Sequence, residues 1–116
     1  MYVDGFVIPV PAANKDAFIA HARKAWPLFK EFGALRVVEC WGDDVPKGKL
    51  TDFQGSVKAT DDEIVVFAWL EWPSKAVRDE GFKKMMADPR MQDPSSAPFD
   101  GKRMIYGGFT PVVEER

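Results

Sequence analysis

Ile64-Val-Val-Phe-Ala-Trp-Leu-Glu-Trp72 is the stretch that decides the fold. It is dense in β-branched and aromatic residues, the types that fit a pleated strand. Successive side chains on a strand point to opposite faces. Ile64, Val66, Ala68 and Leu70 therefore share one face, and Val65, Phe67 and Trp69 share the other. Both faces are apolar. An antiparallel strand with water on one side should alternate apolar and polar, so this one predicts a strand covered on both sides.

Three further strand-like runs surround it. Tyr2 to Val10 is closed by Pro9 and Pro11, residues that end a ladder because they cannot donate to it. Leu35 to Trp41 and Arg103 to Val113 are the others. Between the first two runs the period changes. Phe18, Ala22, Ala25, Phe29 and Phe32 recur at helical spacing. Asn14 suits the N-cap, Asp16 favours the first turn, and Gly33 suits the residue after the C-cap. Pro27 should free the carbonyl of Arg23 at a cost of about 3 kcal/mol. The stripe continues beyond it, which predicts one kinked helix, not two.

A second helix should open at Pro73-Ser74 and run to about Ala87, with Val77, Gly81, Phe82 and Met85 inward. The stretch from Gly42 to Glu63 is too long for a structureless loop in a compact domain. It predicts a hairpin extension or a short extra strand near Ser56 to Ala59. Asp88 to Gly101, with Pro89, Pro94 and Pro98, predicts an ordered loop ending in an Asp100-Gly101 turn. The order β-α-β-β-α-β is that of a split βαβ unit. It predicts an α+β, ferredoxin-like domain over residues 1–116, with a four-stranded antiparallel sheet and both helices on one face.

Composition narrows the function classes. The 116 residues fit one domain, and 46% hydrophobic with 29% charged residues is ordinary soluble material. The net charge is −2 with both signs interleaved, so the electrostatic footprint of a nucleic-acid or anionic-membrane binder is missing. The longest apolar run, Ile64 to Leu70, falls far short of the roughly 20 residues of a membrane span. A strand-like run directly after Met1 leaves no room for a secretory leader. The expected setting is the cytoplasm.

Charged strand residues should avoid a helix-packed face. On that rule Tyr2, Asp4, Phe6, Glu39, Trp41, Phe67, Trp69, Glu71 and Tyr106 gather on the open face of the sheet. Aromatics with scattered carboxylates fit an interface or a lined cavity, with Phe6, Trp41, Phe67 and Trp69 as pocket walls. A carboxylate among aromatics has a raised pKa and can act as a general base, which makes Asp4 and Glu39 candidates. Tyr106 could stabilise an oxyanion. All of these residues could equally be interface groups with satisfied hydrogen bonds.

Other motifs carry less. His21, the only histidine, is a candidate base or haem ligand; as a helix-edge residue it is equally an ordinary half-buried histidine. Cys40 stands beside Glu39 without the electropositive neighbours that activate a thiol. One histidine and one cysteine give no metal-ligand cluster, so no metal and no cofactor are expected. Gly42 to Gly48-Lys49 is not a phosphate loop: the glycine interval is one residue too long, and Leu50 stands where Ser or Thr is required. Asp43-Asp44 and Asp61-Asp62-Glu63 lack calcium-loop spacing and suit solvated turns. Phe99-Asp-Gly-Lys-Arg103 suits a turn anchored by Phe99; the alternative is an anion held by Lys102 and Arg103.

Several segments together resemble a known family. They are Tyr2-Val-Asp-Gly-Phe-Val7, Glu39-Cys40, Gly42-Asp-Asp-Val45, Asp88-Pro-Arg-Met91 and Pro98-Phe-Asp-Gly-Lys-Arg-Met-Ile-Tyr-Gly-Gly-Phe109. The chain closely resembles, over essentially its whole length, the YbaA-like family of small bacterial proteins of unknown function. The resemblance implies the dimeric α/β-barrel superfamily, in which two ferredoxin-like subunits meet sheet to sheet. It implies no catalytic residues. Three readings follow. The first is a homodimer binding a small apolar or aromatic metabolite in a sheet-lined cavity. The second is a cofactor-independent monooxygenase or isomerase acting on an aromatic substrate. The third is a structural dimer with no ligand.

Overall fold

The computed structural model describes residues 1–91 and 97–116. Strands β1 (Tyr2–Pro11), β2 (Arg36–Trp41), β3 (Glu63–Trp72) and β4 (Ile105–Phe109) form one antiparallel sheet in the order β2-β3-β1-β4. Helix α1 (Lys15–Glu31) links β1 to β2, and α3 (Lys75–Ala87) follows β3. Between β2 and β3 lies a short helix, α2 (Phe53–Ser56). The expected split βαβ order is present, with α2 and two single 3-10 turns, at Ala12–Asn14 and Pro89–Met91, added among the described residues.

Local chemistry sets the helix ends. Gly33, with φ +111°, takes the left-handed conformation that closes α1. Its N–H donates to the Lys30 carbonyl, and the Ala34 N–H donates to Phe29, the paired bonds of a Schellman cap. The Ser74 hydroxyl accepts from the Val77 N–H at 3.2 Å and starts α3. Asn14 sits at the start of α1 but does not cap it. Its amide donates instead to the Pro98 carbonyl at 2.9 Å and ties the approach to β4 onto the helix. Helix α1 is continuous through the exposed Pro27.

Two expectations are corrected. The extra strand near Ser56 to Ala59 is instead α2, capped by Asp52, whose Oδ1 accepts from Gly55 N–H at 2.6 Å. Four residues are too few to carry a helical period; buried Val57, directly after it, anchors the segment. The fourth strand is Ile105–Phe109, not Arg103 to Val113. Phe109 pairs with Val3, and β1 begins at Tyr2, so little partner backbone lies beyond. Part of the expected ordered loop, at 92–96, lies outside the described residues.

The register decides which side chains meet the helices. Tyr2 pairs with Trp72, Asp4 with Leu70, Phe6 with Ala68 and Ile8 with Val66. Directly paired residues share a face. Trp72, Leu70, Val66 and Ala68 form the core beneath the helices, together with Ile8, Val10 and Phe18. Each large apolar side chain so buried contributes roughly 1.5–3 kcal/mol. Helix α3 reaches Trp72 because Gly81 has no side chain: a Cβ there would stand 2.8 Å from both the Trp72 ring and the Phe32 carbonyl. Val77, Phe82 and Met85 pack around the same tryptophan cluster, as their spacing predicts.

The face assignment of the candidate residues is therefore corrected. Tyr2, Asp4, Phe6, Glu39, Trp41 and Tyr106 lie on the helix side, in register with Trp72, Leu70, Ala68 and Val66. Phe67, Trp69 and Glu71 lie on the open side. Val38 and Cys40 pair with Trp69 and Phe67, and Val7 pairs with Ile105, which adds them to the open side. Helix α2 leans over this face, with Phe53 edge-on to Phe67 at 6.1 Å.

Candidate functional site

The sheet has an edge at β2, and α1 does not close over it. Between them runs a cleft of about 610 Å³. One wall is α1, contributing Phe18, Ile19, Ala22 and Trp26; the other is β2, contributing Val37, Glu39 and Trp41. Lys15, Arg23 and Arg36 also border it. Val37, Glu39 and Trp41 reach this side together because they alternate along one strand.

Glu39 is the chemically distinctive group. Its carboxylate accepts no hydrogen bond and forms no ion pair among the described residues, although cations border the same cleft. Desolvation against the apolar walls pushes its pKa up to about 7, while part of the side chain stays in contact with solvent. Near neutral pH such a carboxyl can present either a hydrogen-bond acceptor or a donor. The Lys15 ammonium lies 5.6 Å over the Trp41 ring, a cation–π distance. Trp41 in turn packs on Phe18, with ring centroids 6.2 Å apart.

The other candidates are placed elsewhere. Asp4, 2% exposed, is fully engaged: Trp72 Nε1 donates to Oδ2 at 2.9 Å and Arg78 Nη2 to Oδ1 at 2.8 Å. The Arg78 guanidinium lies over the Phe82 and Tyr2 rings at 4.4 and 5.3 Å. Tyr106 is largely exposed and stacks on Phe6, with centroids 6.4 Å apart. Trp69 is on the opposite side of the sheet, where its Nε1 donates to Glu71 Oε2 at 2.9 Å. Asp4, Glu39, Trp69 and Tyr106 thus form no single constellation within one protomer. Of the four expected pocket walls, Trp41 borders the large cleft. Phe67 borders a smaller hollow of about 190 Å³ beside Cys40, Val45 and Phe53.

His21 meets the edge of Phe99 at 5.9 Å. Its pKa is lowered by burial first and by the Lys24 charge second, both of which favour the neutral ring. Among the described residues no group of three His, Cys, Asp or Glu converges to hold a metal ion, and no helix is long and apolar enough to cross a membrane. The residues missed in the sequence are Trp26 and its neighbours. Ile19, Arg23 and Trp26 follow one another at i+4 and i+3 spacing, a second stripe beside the Phe18 one, and that spacing was the available signal.

Phe99 anchors the approach to β4, packing on Phe18 at 5.9 Å. Arg103 holds that approach: Nη1 and Nη2 each donate to Glu63 at 2.7 Å, and Nε donates to Asp100 at 2.9 Å. Those bonds occupy Arg103, so the turn reading fits it better than the anion reading does. The Arg103 hydrogen bond, followed by the Thr60 N–H and hydroxyl, holds the Glu63 carboxyl down to about 2 against an ordinary 4.5. A depressed carboxyl pKa adds stability that is complete above the unfolded value and fades as pH falls through the folded one. The difference in stability between wild type and Glu63→Gln should therefore shrink between pH 5 and pH 2.5, by on the order of 2 kcal/mol. Urea titrations at the two pH values measure it; a constant difference would mean that the pair adds no net charge–charge stability.

A four-stranded antiparallel sheet in the order β2-β3-β1-β4, with α1 and α3 on one face, defines a ferredoxin-like protein, here with a lined cleft at one sheet edge. The chain belongs to the family described as "Protein of unknown function (DUF1428)", whose model matches residues 1–101. It is 64% identical over 115 residues to the "Uncharacterized protein YbaA" of Escherichia coli strain K12, covering 98% of each chain, and equally to that of Shigella flexneri. Among solved structures it is similar to an uncharacterized NIPSNAP domain protein from Burkholderia xenovorans, with a TM-score of 0.62 and 18% identity over 97% of this chain and 95% of that one. It is also similar to a dimeric ferredoxin-like protein from an uncultured marine organism, with a TM-score of 0.58 and 10% identity over 100% and 99% of the two chains. At these identities the two structures speak to the fold alone.

Proposed function

We propose that this protein is a homodimeric binding module that holds a small apolar or aromatic molecule in the α1–β2 cleft. The cleft carries the reading. Its volume of about 610 Å³ falls within the range of small-molecule sites, and so does its make-up of apolar and aromatic walls around few polar groups. Self-association through the open sheet face is supported by that face's apolar side chains, with Phe67, Ile105 and Phe109 each more than two-fifths exposed in the single protomer. The marine ferredoxin-like protein, which shares this fold, is itself described as dimeric.

Calorimetric titration with 2-naphthol, a neutral two-ring probe, tests the cleft. Wild type should bind it saturably. Ala22→Trp, which fills the cleft from the helix wall, should abolish binding while leaving the circular dichroism spectrum unchanged. Equal binding by both proteins would place the probe somewhere other than the cleft and remove the support for this reading.

A further inference from the structure

The polar groups around the cleft do not satisfy one another. Glu39 has no partner, and neither Lys15 nor Arg23 forms an ion pair among the described residues. Arg36 reaches Glu71 of the open side at only 3.6 Å. Because Arg36 is paired to Glu71, the charged groups bordering the cleft without an ion-pair partner among the described residues are Lys15, Arg23 and the Glu39 carboxylate, in a protein whose overall charge is −2. None of these cations lies close enough to Glu39 to lower its pKa, which burial alone raises. Here the apolar Ile19, Ala22 and Val37 share the walls with them. One ligand could complete both sets, with a donor for the acid and an anion for the bases. Trp26 and Trp41 both line the cleft, and an aromatic contact with such rings is worth about 0.5–1.5 kcal/mol beyond burial.

We infer that the cleft takes a planar aromatic acid carrying a ring hydroxyl or amine: its ring rests against Trp26 and Trp41, its hydroxyl or amine donates to Glu39, and its anionic group meets the basic edge formed by Lys15 and Arg23. The inference rests on the small-molecule reading of the cleft and names the chemistry it selects. Charge-assisted hydrogen bonds of both kinds are the strong ones. An aromatic alcohol without the acid, or an acid without the donor, leaves one polar set unpaired and so binds less well.

Three probes separate the parts: 6-hydroxy-2-naphthoate, 2-naphthoate and 2-naphthol, titrated calorimetrically at pH 8, where Glu39 is ionised. Wild type should bind the hydroxy acid at least tenfold more tightly than either of the others. Lys15→Gln/Arg23→Gln should bring the hydroxy acid down to the affinity of 2-naphthol, itself unchanged. Glu39→Leu, which removes the acceptor, should bring it down to the affinity of 2-naphthoate. All three side chains are exposed, so the variants are expected to fold. If wild type binds 2-naphthol and the hydroxy acid equally well, the acid preference is wrong and the cleft reading stands. If the two variants leave the preference intact, the residues named here do not produce it. If no probe binds, the small-molecule reading falls with it.

Discussion

Phe67→Glu should convert the proposed dimer into a folded monomer. Phe67 is 47% exposed in the single protomer and faces the open side of β3. A glutamate there is tolerable in a monomer, because water can solvate it. Between two packed sheets it is not: each buried, unpaired carboxylate costs several kcal/mol, and both protomers carry one. A dimer of micromolar affinity is held by about 8 kcal/mol, so the substitution should weaken it beyond the range of any ordinary concentration. Sedimentation velocity should then give a particle of about 13.1 kDa in place of twice that mass. A folded Phe67→Glu protein that remains a dimer would mean that another surface associates. The sheet alone offers a flat footprint on the order of 300 Å². A standard interface needs about 800 Å² per partner. Helix α2, with Phe53 half exposed beside Phe67, is placed to supply part of the remainder.

Asp4→Ala should destabilise a single protomer by about 4 kcal/mol. It removes the carboxylate from a guanidinium that is only 18% exposed, and it leaves the Trp72 indole N–H without an acceptor. Breaking a buried pair by deleting one partner costs about 3–5 kcal/mol, a large share of the 5–15 kcal/mol that holds a domain of this kind together. The double variant Asp4→Leu/Arg78→Met should recover part of the loss, because it removes both charges. It should keep the cost of the unsatisfied indole, about 1–3 kcal/mol. Urea unfolding of the two proteins measures both values. A loss below 1 kcal/mol for Asp4→Ala would mean that water enters to solvate the guanidinium.

The same residue explains why the strand order was legible in the sequence and the faces were not. Ser74, Gly33 and the Val77-Gly81-Phe82-Met85 stripe act through neighbours a few positions away, and local spacing exposes them. Asp4 is buried by Arg78, which lies 74 positions along the chain. A rule that keeps charge off the helix-packed face cannot anticipate a partner at that distance. Glu39 escapes the rule for a different reason: its strand is an edge, where α1 leaves a gap. Glu39 and Trp41 were therefore legible as an aromatic–carboxylate pair, but the rule placed them on the other face of the sheet. Only Glu39 and Trp41 of the expected set border the large cleft.

Strands β1 and β3 are apolar on both faces, and this leaves their alignment under-determined by hydrophobicity. In a one-faced sheet, sliding a strand by one residue exposes its whole apolar set and is rejected at once. Here such a slide would exchange one apolar face for another. What it cannot exchange is the carboxylate. A one-residue shift would turn Asp4 away from Trp72 and Arg78 and leave three buried polar groups unmatched. The ion pair at the end of the β1–β3 ladder acts as a key that admits a single alignment, and its loss should produce mispaired chains as well as a weaker fold.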